Sequence, residues 1–317
     1  MISSIDPSAD RFLADLSRIQ ERSERAQRQL SSGLRISTAS DDPDHVQELL
    51  VARMRLEQVT QIGMNLGRVK AEVDAAENTL QTATQMLDRA AEIGVDGANS
   101  TRTPEARKTL ALQAQAILEE LVAITGTNVE GRYVFSGDSD HTVPYTLDPT
   151  QPNGVSAYAG SAATRQIVHP TGVRFGVAKT AQEIFDNPDA QKNAFAALNS
   201  LRVALENGPT ASPGDPLYAT QLSAQSDAIA AALLTVRGAR DHVNAELAFY
   251  GSVQNRVDEA IEYANKLELR EKTALSNLQD ADITAAALEL SQAGIQQDAA
   301  LSARAMLPRS SLFDFLG

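Results

Sequence analysis

The chain has 317 residues, and 28 Lys and Arg against 41 Asp and Glu leave a formal net charge of −13. With no basic block, neither wrapping nucleic acid nor binding an anionic membrane is expected. Cysteine and tryptophan are absent, which excludes disulfide staples, thiolate metal sites and cysteine nucleophiles; aromatic residues at only 4% favour long helices with thin seams over a thick core.

Residues Met1 to Asp10 are polar, without the basic start and apolar run of a secretory signal, and no window is apolar enough to span a bilayer. A first helix is expected to carry Phe12, Leu16, Ile19, Ala26, Leu30 and Leu34 on one face. Arg18, Arg22, Arg25 and Arg28 interleave with Glu21 and Glu24 on the other, and Gly33 lies near its end. The run Ser37 to Pro43 then reads as a turn. Asp42 is the expected N-cap of the next helix, with Pro43 at its first position.

That next helix organises the chain. From His45 to Ile93, Val59, Ile62, Leu66, Val69, Val73, Ala76, Leu80, Ala83, Leu87 and Ala90 alternate at spacings of three and four, the seam of a helix lying along a partner. Fifty residues at roughly 1.5 Å each make a rod of about 75 Å. Gly94, Gly97 and the polar run Asn99 to Arg102 close it. Thr103-Pro104-Glu105 opens a third helix ending at Gly126, which the short connection should fold back antiparallel onto the rod.

Between Gly131 and Phe185 short β-like pieces (132–135, 142–146, 155–159, 165–169 and 173–177) alternate with turn residues. Tyr133, Phe135, Tyr145, Tyr158, Phe175, Phe185 and Phe195 concentrate half of the aromatics within positions 131–195, as in a small compact insertion. Helices resume over 189–206 and 217–272, the second with a heptad frame interrupted by Arg240, Gln254 and Glu268, of which Arg240 and Gln254 are read as register-setting or edge residues. A break at Ser276-Asn277 and an Asp280/Asp282 cap start a last helix carrying Ile283, Leu290, Ile295 and Leu301, which Pro308 stops. The expected fold is mainly α: a long antiparallel helical coiled-coil bundle of N- and C-terminal arms, with a small β-rich domain inserted in the middle and placed at the far tip. Its parts are an N-terminal assembly helix (1–44), bundle segments (45–130 and 189–275), the insertion (131–188) and a C-terminal assembly helix (276–317).

Gln29-Leu30-Ser31-Ser32-Gly33-Leu34-Arg35-Ile36 followed by Ser40-Asp41-Asp42-Pro43 resembles the N-terminal signature of bacterial flagellins and the related hook-associated junction proteins. Leu278-Gln279-Asp280-Ala281-Asp282-Ile283, Gln296-Gln297 and Ser311-Leu312-Phe313 resemble the matching C-terminal signature. Asp41-Asp42-Pro43, Gly131-Arg132-Tyr133-Val134-Phe135-Ser136-Gly137 and the Ser-Leu-Phe ending are closer to the junction form than to filament flagellin. The resemblance implies a structural subunit of the flagellum, extracellular at the hook–filament junction and exported by the type III route without a cleaved signal peptide. It implies as partners the other hook-associated proteins, flagellin, further copies of itself, and a cytoplasmic export chaperone at the C-terminal helix. The implied assembly contacts are Leu30, Leu34, Ile36, Ile283, Leu290, Ile295, Leu301, Leu312 and Phe313.

The competing readings are filament flagellin itself and a cytoplasmic coiled-coil scaffold. An enzyme is not expected, because no acid, base and nucleophile converge in the pattern, and no cofactor is expected. Asp41, Asp42, Asp44, His45 and Glu48 read as a helix start rather than a metal site, and no two of the four histidines have the i, i+4 spacing of a helical metal pair.

Overall fold

The computed structural model describes residues 7–306. Helices α1 (Pro7–Ser32), α2 (Val46–Ala98) and α3 (Pro104–Thr125) are followed by strands β1 (Asn128–Val129), β2 (Arg132–Tyr133), β3 (Gln166–Val168) and β4 (Arg174–Gly176). Then come α4 (Ala181–Phe185), α5 (Ala194–Glu206), α6 (Pro216–Gln279) and α7 (Ile283–Met306). The mainly helical architecture with a small inserted β region is the one the periodicity predicts. Contacts divide the chain into two compact units, residues 61–265 and residues 1–60 with 266–317.

In the larger unit the rod finds both of its expected partners. Lys70 Nζ meets Asp258 Oδ1 at 2.9 Å, Gln254 Nε2 donates to Asp74 Oδ1 at 2.7 Å, and Arg240 Nη1 meets Asp88 Oδ1 at 3.2 Å. Each step forward along α2 is matched by an equal step back along α6, so the pair is antiparallel in one register. Arg240 and Gln254, the residues that break the apolar frame, supply two of those rungs. Helix α3 runs back along α2: Arg107 Nη2 donates to the Asn99 carbonyl, while Thr127 at the other end meets Thr79 Oγ1 at 2.9 Å. Thr103 caps α3 by accepting from the Ala106 amide, and Pro104 occupies the first turn, where no N–H is needed. Helix α5 packs along α3 and completes a four-helix layer.

Gly94 and Gly97 permit close approach rather than ending the rod, since α2 continues to Ala98. A Cβ on Gly97 would lie 2.3 Å from the Leu205 side chain, and one on Gly94 3.1 Å from Leu233.

The insertion holds less strand than its sequence suggests. β1 and β2 form a hairpin whose loop places Glu130 at φ 52° and Gly131 at φ 84°, the left-handed pair of a tight primed turn. β3 and β4 form a second hairpin. The pieces at 142–146 and 155–159 pair only loosely: the isolated bridge of Leu147 with Val155 is joined by the Ser156 and Ala159 amides donating to the Thr146 and Pro144 carbonyls, and Pro144 has no donor with which to extend a ladder. Nor does the insertion cap the far end of the bundle, which is occupied by the loops 99–103 and 207–215. It lies along the flank of α6. His169 stacks near Tyr263, Arg256 lies 4.1 Å from the Phe175 ring centroid, Lys179 pairs with Glu246, and His242 Nε2 approaches the Glu183 carbonyl. The physical reason is apolar area. Phe135, Tyr145, Phe175 and Phe185 are all buried and join the helices' own core, with Phe135 edge-on to both Phe185 (6.0 Å) and Tyr250 (6.5 Å).

Candidate assembly surfaces

In the smaller unit α1 and α7 pack side by side. Their contact is thin: Ala26, Ala286 and Ala293 are its fully buried apolar side chains, and Phe12, Leu16, Ile19, Leu30 and Leu290 are half-buried beside them. Polar contacts flank the seam. Arg22 Nε donates to Glu289 Oε1 at 2.5 Å and its Nη1 to Gln296 Oε1 at 3.1 Å, which lowers the Glu289 pKa and raises that of the arginine. The Arg304 guanidinium lies 5.7 Å from the Phe12 ring centroid. The two helices expected to make the assembly contacts thus pair with each other within the chain, through a seam whose most deeply buried side chains are alanines.

The two outward faces differ. On α1 it carries Arg11, Asp15, Arg18, Glu24, Arg25 and Arg28, all exposed. On α7 the face opposite Ala286 and Ala293 carries Thr284, Leu288, Ser291, Gln292, Ile295, Asp298, Ala299, Ser302 and Met306, with Asp298 its one charge. Leu288, Ile295 and Met306 are 59%, 67% and 83% exposed. A helix apolar on two sides has one side more than its own chain covers.

Where α1 gives way to α2, and α6 to α7, two short segments clasp each other. Gly33 adopts φ 72°, ending α1 in the left-handed geometry open to glycine. Leu34 then bridges Asp280. The Arg35 and Ile36 amides donate to the Gln279 carbonyl, and the Ala281 amide donates to Gly33 O at 2.9 Å. The two stretches that carry the family resemblance thus meet in space, more than 240 positions apart in sequence. The Arg35 guanidinium ties the clasp by donating to Leu278 O and to Asp42 Oδ2, both at 2.8 Å.

Asp42 is not the cap of α2. That helix begins at Val46, after a turn in which the His45 amide donates to the Asp42 carbonyl. The Asp42 carboxylate is engaged by the His45 ring (2.9 Å) and by Arg35; the hydrogen bond to His45 above all, and then that to Arg35, lowers the Asp42 pKa, and Asp42 in turn raises that of His45. The amide-gathering role falls to Asp41. Its carboxylate accepts from the Thr38 and Ser37 amides and the Ser37 hydroxyl at 2.8–2.9 Å, bonds that hold it well below the usual carboxylate range. α6 likewise runs through Ser276-Asn277 to Gln279; the break lies at 280–282, and Asp282 caps α7 by accepting from the Ala285 amide.

The implied contact residues sort into three sets. Leu30, Leu34 and Leu290 are half-buried and Ile36 is fully buried, whereas Ile283, Ile295 and Leu301 are exposed. Leu312 and Phe313 lie outside the described residues. Arg22, Arg35 and Asp41 stood out in the sequence only as members of a polar face, a motif and a helix start; their partners Glu289, Leu278 and the Ser37 and Thr38 amides were not foreseen.

The profile of the bacterial flagellin N-terminal helical region matches residues 8–140, and that of the C-terminal helical region matches residues 233–316. Flagellar hook-associated protein 3 of Salmonella typhimurium is 26% identical over 264 residues, 80% of each chain. Polar flagellin E of Vibrio parahaemolyticus is 30% identical over 124 residues, 38% of this chain and 33% of that one. The crystal structure of flagellar hook-associated protein 3 from Legionella pneumophila superposes with a TM-score of 0.61 at 16% identity, over 72% of this chain and 98% of that one, a likeness of fold. The two profile matches together span well over half of the chain and include both halves of the clasp. The chain belongs to the bacterial flagellin family.

Proposed function

We propose that this protein is a structural subunit of the bacterial flagellum, an adaptor at the hook–filament junction that assembles through its terminal helices. The observation that carries this reading is the exposed apolar row Leu288, Ile295 and Met306 on the outward face of α7, on a chain whose likeness to a hook-associated protein extends over 80% of both sequences. Among filament flagellins, polar flagellin E of Vibrio parahaemolyticus matches over a third of its own length, and flagellin FlaB2 of Treponema pallidum matches over 90% of both chains at 22% identity, below the 26% of the hook-associated protein. In this reading Ile283, Ile295 and Leu301 meet neighbouring subunits, together with Leu312 and Phe313. Leu30, Leu34, Ile36 and Leu290 hold α1, α7 and the clasp in position for that contact. The partners are other hook-associated proteins, the first flagellin subunits and further copies of this chain, with an export chaperone on the C-terminal helix before assembly outside the cell. The role is structural rather than enzymatic.

Immuno-electron microscopy on intact flagella tests it. Label confined to the hook–filament boundary is the expected result. Label along the whole filament would make the protein a bulk flagellin, and label absent from flagella would sink both. Deleting residues 282–317 should leave the larger unit folded and abolish attachment of the filament. Normal filaments on cells carrying only that truncation would contradict the proposal.

A further inference from the structure

The four glycines of α2 are of two kinds. Gly94 and Gly97 are packed, and Leu233 and Leu205 fill the space that a Cβ would need. Around Gly63 and Gly67 an added Cβ would meet nothing within 4 Å, and neither residue has a positive φ. No neighbour and no backbone geometry calls for glycine at either position. Both lie inside one continuous helix, about a turn apart. In a helix interior glycine lowers the folding equilibrium about fivefold relative to alanine, because a chain without a Cβ has more freedom to lose. A rod that only had to be straight would be better served by alanine.

Packing is thinnest at the same level. Along the seam of α2 from Val59 to Ala90 every apolar position is buried except Ile62, one residue before Gly63. Leu66, Ala260 and Ala264 form a small apolar cluster apart from the main core, and two of its three members are alanines. Extending the register by which Lys70 meets Asp258 and Asp74 meets Gln254 sets Gly67 level with about Ile261. Here α6 is built differently from α2. It carries no glycine from Ser252 to Gln279. The β3–β4 hairpin also rests against it at this height: Ile167 packs on the small cluster, and the His169 ring centroid lies 5.7 Å from that of Tyr263. One helix is softened where its companion is braced.

We propose that α2 is built to bend at Gly63–Gly67, a joint whose give lies on the α2 side. Sharp kinks in helices have few causes, and small residues in a stretch of low contact density are among them. A costly local choice with no packing reason marks a position kept for something other than stability. The use of the joint rests on the adaptor reading above: a subunit joining two different assemblies must conform to both. A soft turn lets α2 change direction without opening the core around Phe135 and Tyr250.

The chain has no cysteine, so spin labels on introduced thiols report on chosen sites alone. In purified full-length chain, labels at Arg55→Cys and Asn78→Cys flank the joint about 35 Å apart along the helix axis, and labels at Ala71→Cys and Glu92→Cys span a glycine-free stretch of about 32 Å. All four positions are exposed. The distance distribution from double electron–electron resonance should be roughly twice as wide for the first pair as for the second. Adding Gly63→Ala and Gly67→Ala should narrow the first to the width of the second. The same two alanines should slow amide exchange across residues 63–71 about tenfold and leave the helical circular dichroism signal in place. Equal widths for the two pairs, or a width that the alanines leave unchanged, would overturn the joint. The measurement needs no flagellum, so its failure leaves the adaptor reading standing, whereas absence of the protein from flagella sinks that reading and leaves the joint to the distances.

Discussion

The two units solve burial in opposite ways. Residues 61–265 put their bulky side chains inside: Phe135, Phe185, Phe195, Tyr250, Leu80, Leu87, Leu118 and Leu121 are all at most 2% exposed. In the unit formed by residues 1–60 and 266–317, the described side chains buried most deeply are largely alanine, while Leu13, Leu50, Met54, Leu269, Leu288, Ile295 and Met306 are more than half exposed. Burying a large apolar side chain is worth about 1.5–3 kcal/mol, and a methyl far less. The first unit therefore closes its own core. The second withholds most of its apolar surface, the expected condition of a region whose stability comes from its neighbours in an assembly.

Substitutions should expose this contrast. Phe135→Ala removes a ring packed on Phe185 and Tyr250 and should cost about 3–5 kcal/mol in denaturant unfolding of the full chain. Gly137→Ala should cost about 2 kcal/mol, since Gly137 has φ 61° and a Cβ there would lie 2.1 Å from the Ser161 carbonyl oxygen. Ile295→Ala should change monomer unfolding by less than about 0.5 kcal/mol while reducing incorporation into flagella. A loss in the monomer as large as that of Phe135→Ala would mean that the smaller unit is closed after all.

The smallest expected effect is a pH dependence of the clasp. Asp41 and Asp42 have lowered values in the folded state, so their stabilisation is present above the unfolded carboxylate value of about 3.9 and is lost as pH falls through the folded value. His45 is raised, so its contribution is complete below about 6.5 and is lost as pH rises through its folded value. Amide exchange at Arg35 and Ile36, corrected for intrinsic rates, should be slowest between those limits. A flat profile would show that the clasp is held by its backbone bonds alone.

Much of the fold was legible because it is written at short range. The alternation from Val59 to Ala90 needs only the geometry of one helix, and each of those positions except Ile62 is buried. Thr103-Pro104 announced α3 through its own hydroxyl and ring. The insertion was harder to read, because the β-like pieces at 142–146 and 155–159 share one bridge and a few backbone hydrogen bonds without forming paired strands, and the decisive force is the entry of Phe135 and Tyr145 into a core built by distant helices. Asp42 misled for a related reason. Asp-Pro before an apolar run is a cap by local rules, but Arg35 and His45 engage its carboxylate, and the helix starts later.

The candidate site was half legible. Periodicity placed Leu290, Ile295 and Leu301 on the last helix without telling which side its own chain would cover. α7 is apolar on two faces, and only the approach of Ala26 decided that the Ala286–Ala293 face turns inward and the Leu288–Ile295 face out. By itself the sequence determined which segments are helices, where most of them begin and end, and that the seams require partners, since propensity, capping and apolar spacing act within a few residues. Tertiary structure alone decided the register of α2 on α6, the meeting of the Gly33 and Asp280 segments, and the entry of Phe135 and Tyr145 into the helices' core. Each depends on residues far apart in the chain, whose encounter is set by the joint packing of every helix between them.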